Sequence, residues 1–266
     1  MTADRDIVAA LVDALDRGVP AVVASVVNTR WSVPRHAGAK MLIDSDGHQV
    51  GTIGGGQMEA EVCQAAAEIM TNGWSEQAES RTMSFNLLDP ARGDPGVCGG
   101  SVSVHLEVFM PNPHLVVIGC GHVGAAVIEL AHWLGFRVTA LDDRDELTDP
   151  DRLPDADVMI GGPFHETLPT AGIDADTHVV LVTRNVTVDA SVLPLVLASE
   201  ARTVGVMGSA RRWSTTRAQL AELGVSEEQM DRVVSPVGVD IAAETPAEIA
   251  LSIMAELVAL RRRVPE

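Results

Sequence analysis

Three glycines, Gly119, Gly121 and Gly124, stand in the spacing G-x-G-x-x-G directly after an apolar, β-branched run, Leu115 to Ile118. An apolar helical stretch follows, then Gly135, then a second β-type run, Arg137 to Leu141, that ends in Asp142. A strand, a tight turn, a helix and a second strand closed by an acid make a unit suited to phosphate. The first glycine permits the turn, the second lets backbone approach a pyrophosphate, and the third lets the helix pack close to the strand. Free N–H groups and the positive dipole end of the helix favour an anion. The expected ligand-facing residues are Gly119, Cys120, Gly121, His122, Val123 and Gly124. Asp142 follows Gly119 by 23 residues, close to the separation of an acid that bonds a ribose hydroxyl, and Arg144 lies beside it. A packing turn that holds no nucleotide is the competing reading of the same spacing.

A second strand–glycine–helix transition occurs in GTIGGGQME, Gly51 to Glu59. Its glycines, Gly54, Gly55 and Gly56, expose backbone amides ahead of a helix, which suits an anion such as phosphate. A tight turn needing positive φ is the equal alternative. Cys98 lies in GDPGVCGG, a loop with glycines on both sides. Neighbouring amides lower a thiol's pKa, so Cys98 is a candidate nucleophile, metal ligand or sulfur carrier; a buried, inert thiol is the alternative. Cys63 sits mid-helix among alanines and reads as core. Cys120 occupies a variable position of the glycine turn, where it touches a ligand or is simply small. His122 either donates to a phosphate or stands as a first-turn polar residue. Arg30, Arg35 and His36 share one loop and Arg211 and Arg212 another, each able to grip a phosphate or carboxylate unless simply solvated. A Pro-Gly loop carries Asp240 and Glu244 toward a capped final helix, placed to close over the nucleotide site or to meet a partner.

Composition narrows the function classes. The net charge of the 266 residues is −18, which argues against non-specific nucleic-acid binding. Three widely spaced cysteines with no C-x-x-C suggest a reducing compartment, the cytoplasm, and no structural zinc. The eight histidines make no H-x-x-H or H-E-x-x-H spacing, so no metal site is expected. There is no signal-peptide pattern and no apolar run long enough to span a membrane. Tyrosine is absent, which removes any Tyr-x-x-x-Lys dehydrogenase pair, and Lys40 is the single lysine open to Schiff-base chemistry.

Elements to position these residues follow from periodicity. Helical spacing over 4–17 ends at Gly18. A strand over 20–28 precedes a loop, Thr29 to Ala37, and then a hairpin turning at Asp46-Gly47. A helix follows Gly56, with further strands over 80–87 and 101–109. Pro111-Asn112-Pro113 reads as a linker. Beyond it, strands at 115–118, 137–141, 157–160, 178–182 and 203–207 alternate with helices at 122–134, 189–200, 215–223, 226–231 and 246–263. Such alternation predicts a parallel sheet with helices on both faces. Thr245, Pro246 and Glu248 form a capping box at the start of the last helix. The expected fold class is α/β: an N-terminal α+β domain over 1–110 and a Rossmann-type doubly wound domain over 114–266.

These motifs together are similar to one family. SVPRHAGAKML, GTIGGGQME, VCGGSVSVHLE, VVIGCGHVG with LDDR, GSARR and PVGVDIAAETPAEIALSIMAEL resemble the XdhC/CoxI family across nearly the whole chain. That family comprises accessory proteins of molybdenum hydroxylases such as xanthine dehydrogenase. The resemblance implies binding of molybdenum cofactor (molybdopterin), its protection, and help with its sulfuration before insertion into the apo-hydroxylase. It implies that apo-enzyme as partner, with a cysteine desulfurase and a second copy of the chain as further expected partners. It points to Cys98, in the family's Cys-Gly-Gly, as the sulfur-handling thiol. Two departures bear on chemistry: Gln57 stands where many members have Cys or Ala, and Arg184 and Asn185 stand where others have His or Asp. The first puts thiol chemistry at position 57 in doubt, the second an acid–base or metal role at 184–185. An NAD(P)-dependent oxidoreductase and a nucleotide-sensing regulatory protein remain open as alternatives, since Asp142 suits an adenosine ribose.

Overall fold

Unbroken apolar runs and alternating ones build two different sheets in this chain. A computed structural model describes residues 4–71, 80–87 and 99–262. It divides into two compact units, residues 1–111 and 112–261.

The first unit contains α1 (Asp4–Asp16), β1 (Ala21–Arg30), β2 (Lys40–Asp44), β3 (Gln49–Gly51), α2 (Gly56–Thr71), β4 (Arg81–Asn86) and β5 (Ser101–Phe109). Its five strands pair antiparallel in the order β3-β2-β1-β5-β4. Side chains alternate across a strand, so β1 serves two cores. Val22, Ala24 and Val26 pack with Val62, Ala66 and Ile69 of α2, while Ala21 and Val23 pack with Ile7 and Ala14 of α1. β1 continues to Arg30, past the expected loop start at Thr29, because it keeps pairing with β5 beyond a bulge at Val26/Asn28.

The second unit contains β6 (His114–Ile118), α3 (His122–Trp133), β7 (Arg137–Asp142), β8 (Val158–Gly161), α4 (Phe164–Thr167), β9 (His178–Leu181), α5 (Val186–Leu197), β10 (Thr203–Val206), α6 (Ala210–Glu222), α7 (Glu227–Asp231), β11 (Val233–Val234) and α8 (Pro246–Arg262). The strand order is β11-β10-β9-β6-β7-β8, with every neighbour parallel. That is the doubly wound order of dinucleotide-binding folds, with the reversal of direction between β6 and β9. β6 and β9 are wholly buried because helices cover both faces. Leu115 and Val117 pack toward α3 and α8, and Val116 and Ile118 toward α5 and α6. Each such buried aliphatic side chain contributes about 1.5–3 kcal/mol. Among the described residues, no helix is long and apolar enough to cross a membrane.

Candidate functional site

In a sheet of this kind, ligands sit beyond the carboxyl ends of the strands, where the winding reverses. The chain leaves β6 there through the three glycines. Gly119 has φ 104°, and a Cβ on it would lie 2.8 Å from the carbonyl oxygen of Val182. A Cβ on Gly124 would lie 1.9 Å from the carbonyl oxygen of Gly119. The protein's own backbone therefore demands both glycines. Gly121 differs. Its φ of −72° suits any residue, and a Cβ built on it meets nothing within 4 Å. The amides of Gly121, His122 and Val123 have no acceptor among the described residues, and Gly121 brings no side chain to cap α3. The His122 ring is exposed at the same helix start. The turn thus offers open space, unused donors and a positive dipole end.

Cys120 does not line that space. Its side chain is fully buried in the core under α3, and its thiol leans toward the Leu141 carbonyl oxygen at 3.4 Å. Burial, reinforced by the Asp142 carboxylate, pushes the thiol up to about 12. The expectation that this side chain touches a ligand is corrected on that ground.

Asp142, the expected ribose acceptor, is 1% exposed. Its Oδ2 accepts the Cys120 amide at 2.7 Å and Arg144 Nη2 at 3.0 Å; its Oδ1 accepts the Arg144 amide at 3.0 Å and Arg144 Nε at 2.8 Å. A carboxylate offers about four lone-pair positions, so the chain itself fills them. Here Arg144 is a partner of Asp142.

Across the reversal point, Thr183, Arg184 and Asn185 follow β9. Asn185 caps α5, accepting the Val188 amide at 3.0 Å. Arg184 makes a two-pronged pair with Asp143, Nη1 to Oδ1 at 2.6 Å and Nη2 to Oδ2 at 2.7 Å. That guanidinium holds the Asp143 carboxyl below its ordinary value. Arg212 is also committed. Its Nε and Nη2 donate to the fully buried Asp189 at 2.9 and 2.7 Å, and Nη2 also reaches the Thr183 carbonyl oxygen at 3.1 Å. The Thr183 hydroxyl donates to the other Asp189 oxygen. Breaking a buried pair of this kind from one side costs about 3–5 kcal/mol, which makes Arg212 a brace between the β9 and β10 loops. Arg211 remains exposed.

The glycines of the first unit hold an anion that belongs to the chain. Glu59 Oε1 accepts the amides of Ile53, Gly54 and Gly55 at 2.8, 3.1 and 2.8 Å, and the Thr52 hydroxyl bonds the same oxygen. Burial raises the Glu59 carboxyl, but the Thr52 hydroxyl and the three amides outweigh it and leave it below its ordinary value. Positive φ at Gly54, Gly55 and Gly56 shapes this nest. The phosphate expected over those glycines is replaced by Glu59, for which the sequence signal was an acid three residues after Gly56. Gln57, on the exposed side of α2, donates to Glu61 at 2.9 Å.

Other candidates lie apart. Arg30, Arg35 and His36 are exposed, Arg30 at the end of β1 and not on the loop expected to hold all three, Arg35 and His36 on the loop that follows. Asp44, Asp46 and His48 converge, yet Arg17 bonds both acids at 2.9 and 2.8 Å, so a cation already serves them. Asp240 and Glu244 are exposed in the loop after β11; among the described residues, no hydrogen bond or ion pair joins them to the glycine turn. Cys98 lies outside the described residues, whereas Cys63 is half-buried on α2.

Residues 115–257 match the XdhC Rossmann domain and residues 14–85 the XdhC and CoxI family. The chain belongs to the XdhC/CoxI family. Among its relatives is the uncharacterized protein YqeB of Escherichia coli K12, 34% identical over 94% of this chain and 45% of that protein. The chain thus spans about half the length of YqeB. The molybdenum cofactor insertion chaperone PaoD of Escherichia coli K12 is 26% identical over 97% of this chain and 88% of its own length. A probable xanthine dehydrogenase subunit of Bacillus subtilis 168 is 22% identical over 92% of this chain and 94% of that one. Among solved structures, a xanthine dehydrogenase from Bacillus halodurans shares the fold, with a TM-score of 0.52 at 24% identity and 94% coverage of both chains.

Proposed function

We propose that this XdhC/CoxI protein is a maturation factor for a molybdenum hydroxylase of the xanthine dehydrogenase type, working in the cytoplasm. Its cargo is molybdenum cofactor, which it holds, helps to sulfurate and passes to the apo-enzyme. The observation that carries the reading is Gly121. It is a glycine that neither its backbone angles nor its neighbours require, set beside three unused amides at a helix start. Such a place fits a phosphate group closely approached by backbone, and molybdopterin carries one. The names of PaoD and of the Bacillus subtilis relative support the same direction.

In this reading the amides of Gly121, His122 and Val123 hold the phosphate, and the exposed His122 ring donates from the side. Asp142 acts from behind: by taking the Cys120 amide at 2.7 Å it fixes the turn before any ligand arrives. Cys98 handles the sulfur, with a cysteine desulfurase as its donor, and Asp240 and Glu244 meet the client or close over the cargo. The chain works as a homodimer and acts as a carrier.

The test is co-expression with a xanthine dehydrogenase-type hydroxylase. Gly121→Val places a branched side chain in the open space, and φ −72° tolerates it. The variant should fold, lose pyrophosphate binding by calorimetry, and leave the hydroxylase with less active cofactor. Full hydroxylase activity alongside Gly121→Val sinks the proposal.

A further inference from the structure

We propose that Arg144 selects the ligand class of the glycine turn, favouring a ligand anchored by a terminal phosphate over an adenosine dinucleotide. This rests on the reading of the turn as a phosphate site. The acid that ends the second strand of such a unit ordinarily accepts ribose hydroxyls. Here that acid is Asp142, and its guanidinium partner comes from its own loop. Arg144 supplies three of the four donors on the carboxylate, one from its amide and two from its side chain, and the Cys120 amide supplies the fourth. A ribose diol reaching Asp142 must displace the bonds from Nε and Nη2, at 2.8 and 3.0 Å, on a carboxylate that is 1% exposed. Both join a charged donor to a charged acceptor, whereas a ribose hydroxyl brings a neutral donor to the same carboxylate, so the two guanidinium bonds outweigh those that replace them. The displaced guanidinium is then left with the more distant Asp143 carboxylate, 3.8 Å from its Nε and already paired with Arg184.

A phosphate on the Gly121, His122 and Val123 amides asks for none of this. It needs no acceptor from Asp142, and the Cys120–Asp142 bond stays in place to hold the turn. The 2′-phosphate of NADP fares no better than the NAD ribose, because Asp142 and Asp143 already neutralise the guanidinium groups of Arg144 and Arg184. The geometry therefore keeps the anion-binding half of a dinucleotide site and closes the ribose half.

The experiment is calorimetric titration of the full chain and of Arg144→Ala with two probes, NAD and inorganic pyrophosphate. Arg144→Ala should bind NAD about tenfold tighter than the unaltered protein, the factor expected of one or two recovered hydrogen bonds to a charged acceptor. Its pyrophosphate affinity should stay within a factor of about two, a contrast that a merely structural role for Arg144 does not produce. Arg144→Lys keeps the charge, loses the two-pronged geometry and should fall between; it also serves if Arg144→Ala fails to fold. NAD affinity that is equal in all three proteins, or undetectable in all three, overturns the assignment of Arg144. Absence of pyrophosphate binding in every protein instead overturns the phosphate reading beneath it.

Discussion

Arg184 and Asp143 are joined by two charged hydrogen bonds, 2.6 and 2.7 Å long, that run from the loop after β9 to the loop after β7. β6 lies between those strands in the sheet, so the pair spans the carboxyl end of β6, where the glycine turn begins. Both side chains stay partly open to water, 42% and 28% exposed. Geometry makes the pair a strap over the turn, while exposure makes it a weak one.

A double-mutant cycle on Arg184→Ala and Asp143→Ala should therefore give a coupling below about 1 kcal/mol, shrinking further in concentrated salt. Urea denaturation of the four proteins measures it. A coupling of several kcal/mol would mean that the strap is a fixed structural clamp and not an opening that a ligand crosses easily.

Glu59 yields a prediction with a pH signature. Glu59→Ala leaves three amides and a hydroxyl without their acceptor and should cost roughly 3 kcal/mol or more, while Glu59→Gln keeps a neutral acceptor and should cost less. The folded carboxyl lies below the ordinary 4.5. A depressed folded value means that the stabilisation is complete above the unfolded value and is lost as pH falls through the folded one. The stability gap between the unaltered protein and Glu59→Gln should then be full at pH 7 and narrow steadily below pH 4.5. Melting curves between pH 7 and pH 3 decide it; a gap that ignores pH removes the charge from the explanation.

The two motifs show how far the sequence could be read. Strand, turn, helix and acid over His114 to Asp142 were legible because local periodicity and glycine spacing determine them, and the parallel sheet followed. The partner of Asp142 was not legible: whether a carboxylate faces a ribose or an arginine two residues later depends on side-chain direction, which spacing does not encode. The GTIGGGQME nest misled similarly, since sequence indicates that amides are exposed and not which anion answers them. Helix starts failed where capping was weakly marked. α5 begins at Val186 and not at 189, and α6 at Ala210 and not at 215, because Asn185 and Ser209 cap them without an acid three residues on. The Thr245–Glu248 box carries that acid and marks its helix start correctly. β11 spans only Val233–Val234, too short for any periodic signal, and makes a sixth strand where five were expected.

The three thiols give the last prediction. Sulfur transfer and alkylation both require thiolate, so reactivity at neutral pH follows pKa and access. Cys120 meets neither condition, being fully buried with its thiol pushed to about 12. Cys63 is hindered less severely: burial raises its thiol, and the nearby Glu59 charge raises it further. Glycines flank Cys98 on both sides in sequence, and the family motif points to it. Iodoacetamide at pH 7 should therefore label Cys98 first, Cys63 slowly and Cys120 only after unfolding, as read by peptide mass spectrometry over time. Cys98→Ala should remove the fast phase, leave the melting temperature within a few degrees, and leave a co-expressed hydroxylase short of its terminal sulfur. Two outcomes separate the ideas. A fast phase that persists in Cys98→Ala assigns the reactive thiol elsewhere. A fast phase that disappears while the hydroxylase remains fully sulfurated makes Cys98 reactive but uninvolved, and the sulfur must then reach the cofactor without passing through Cys98.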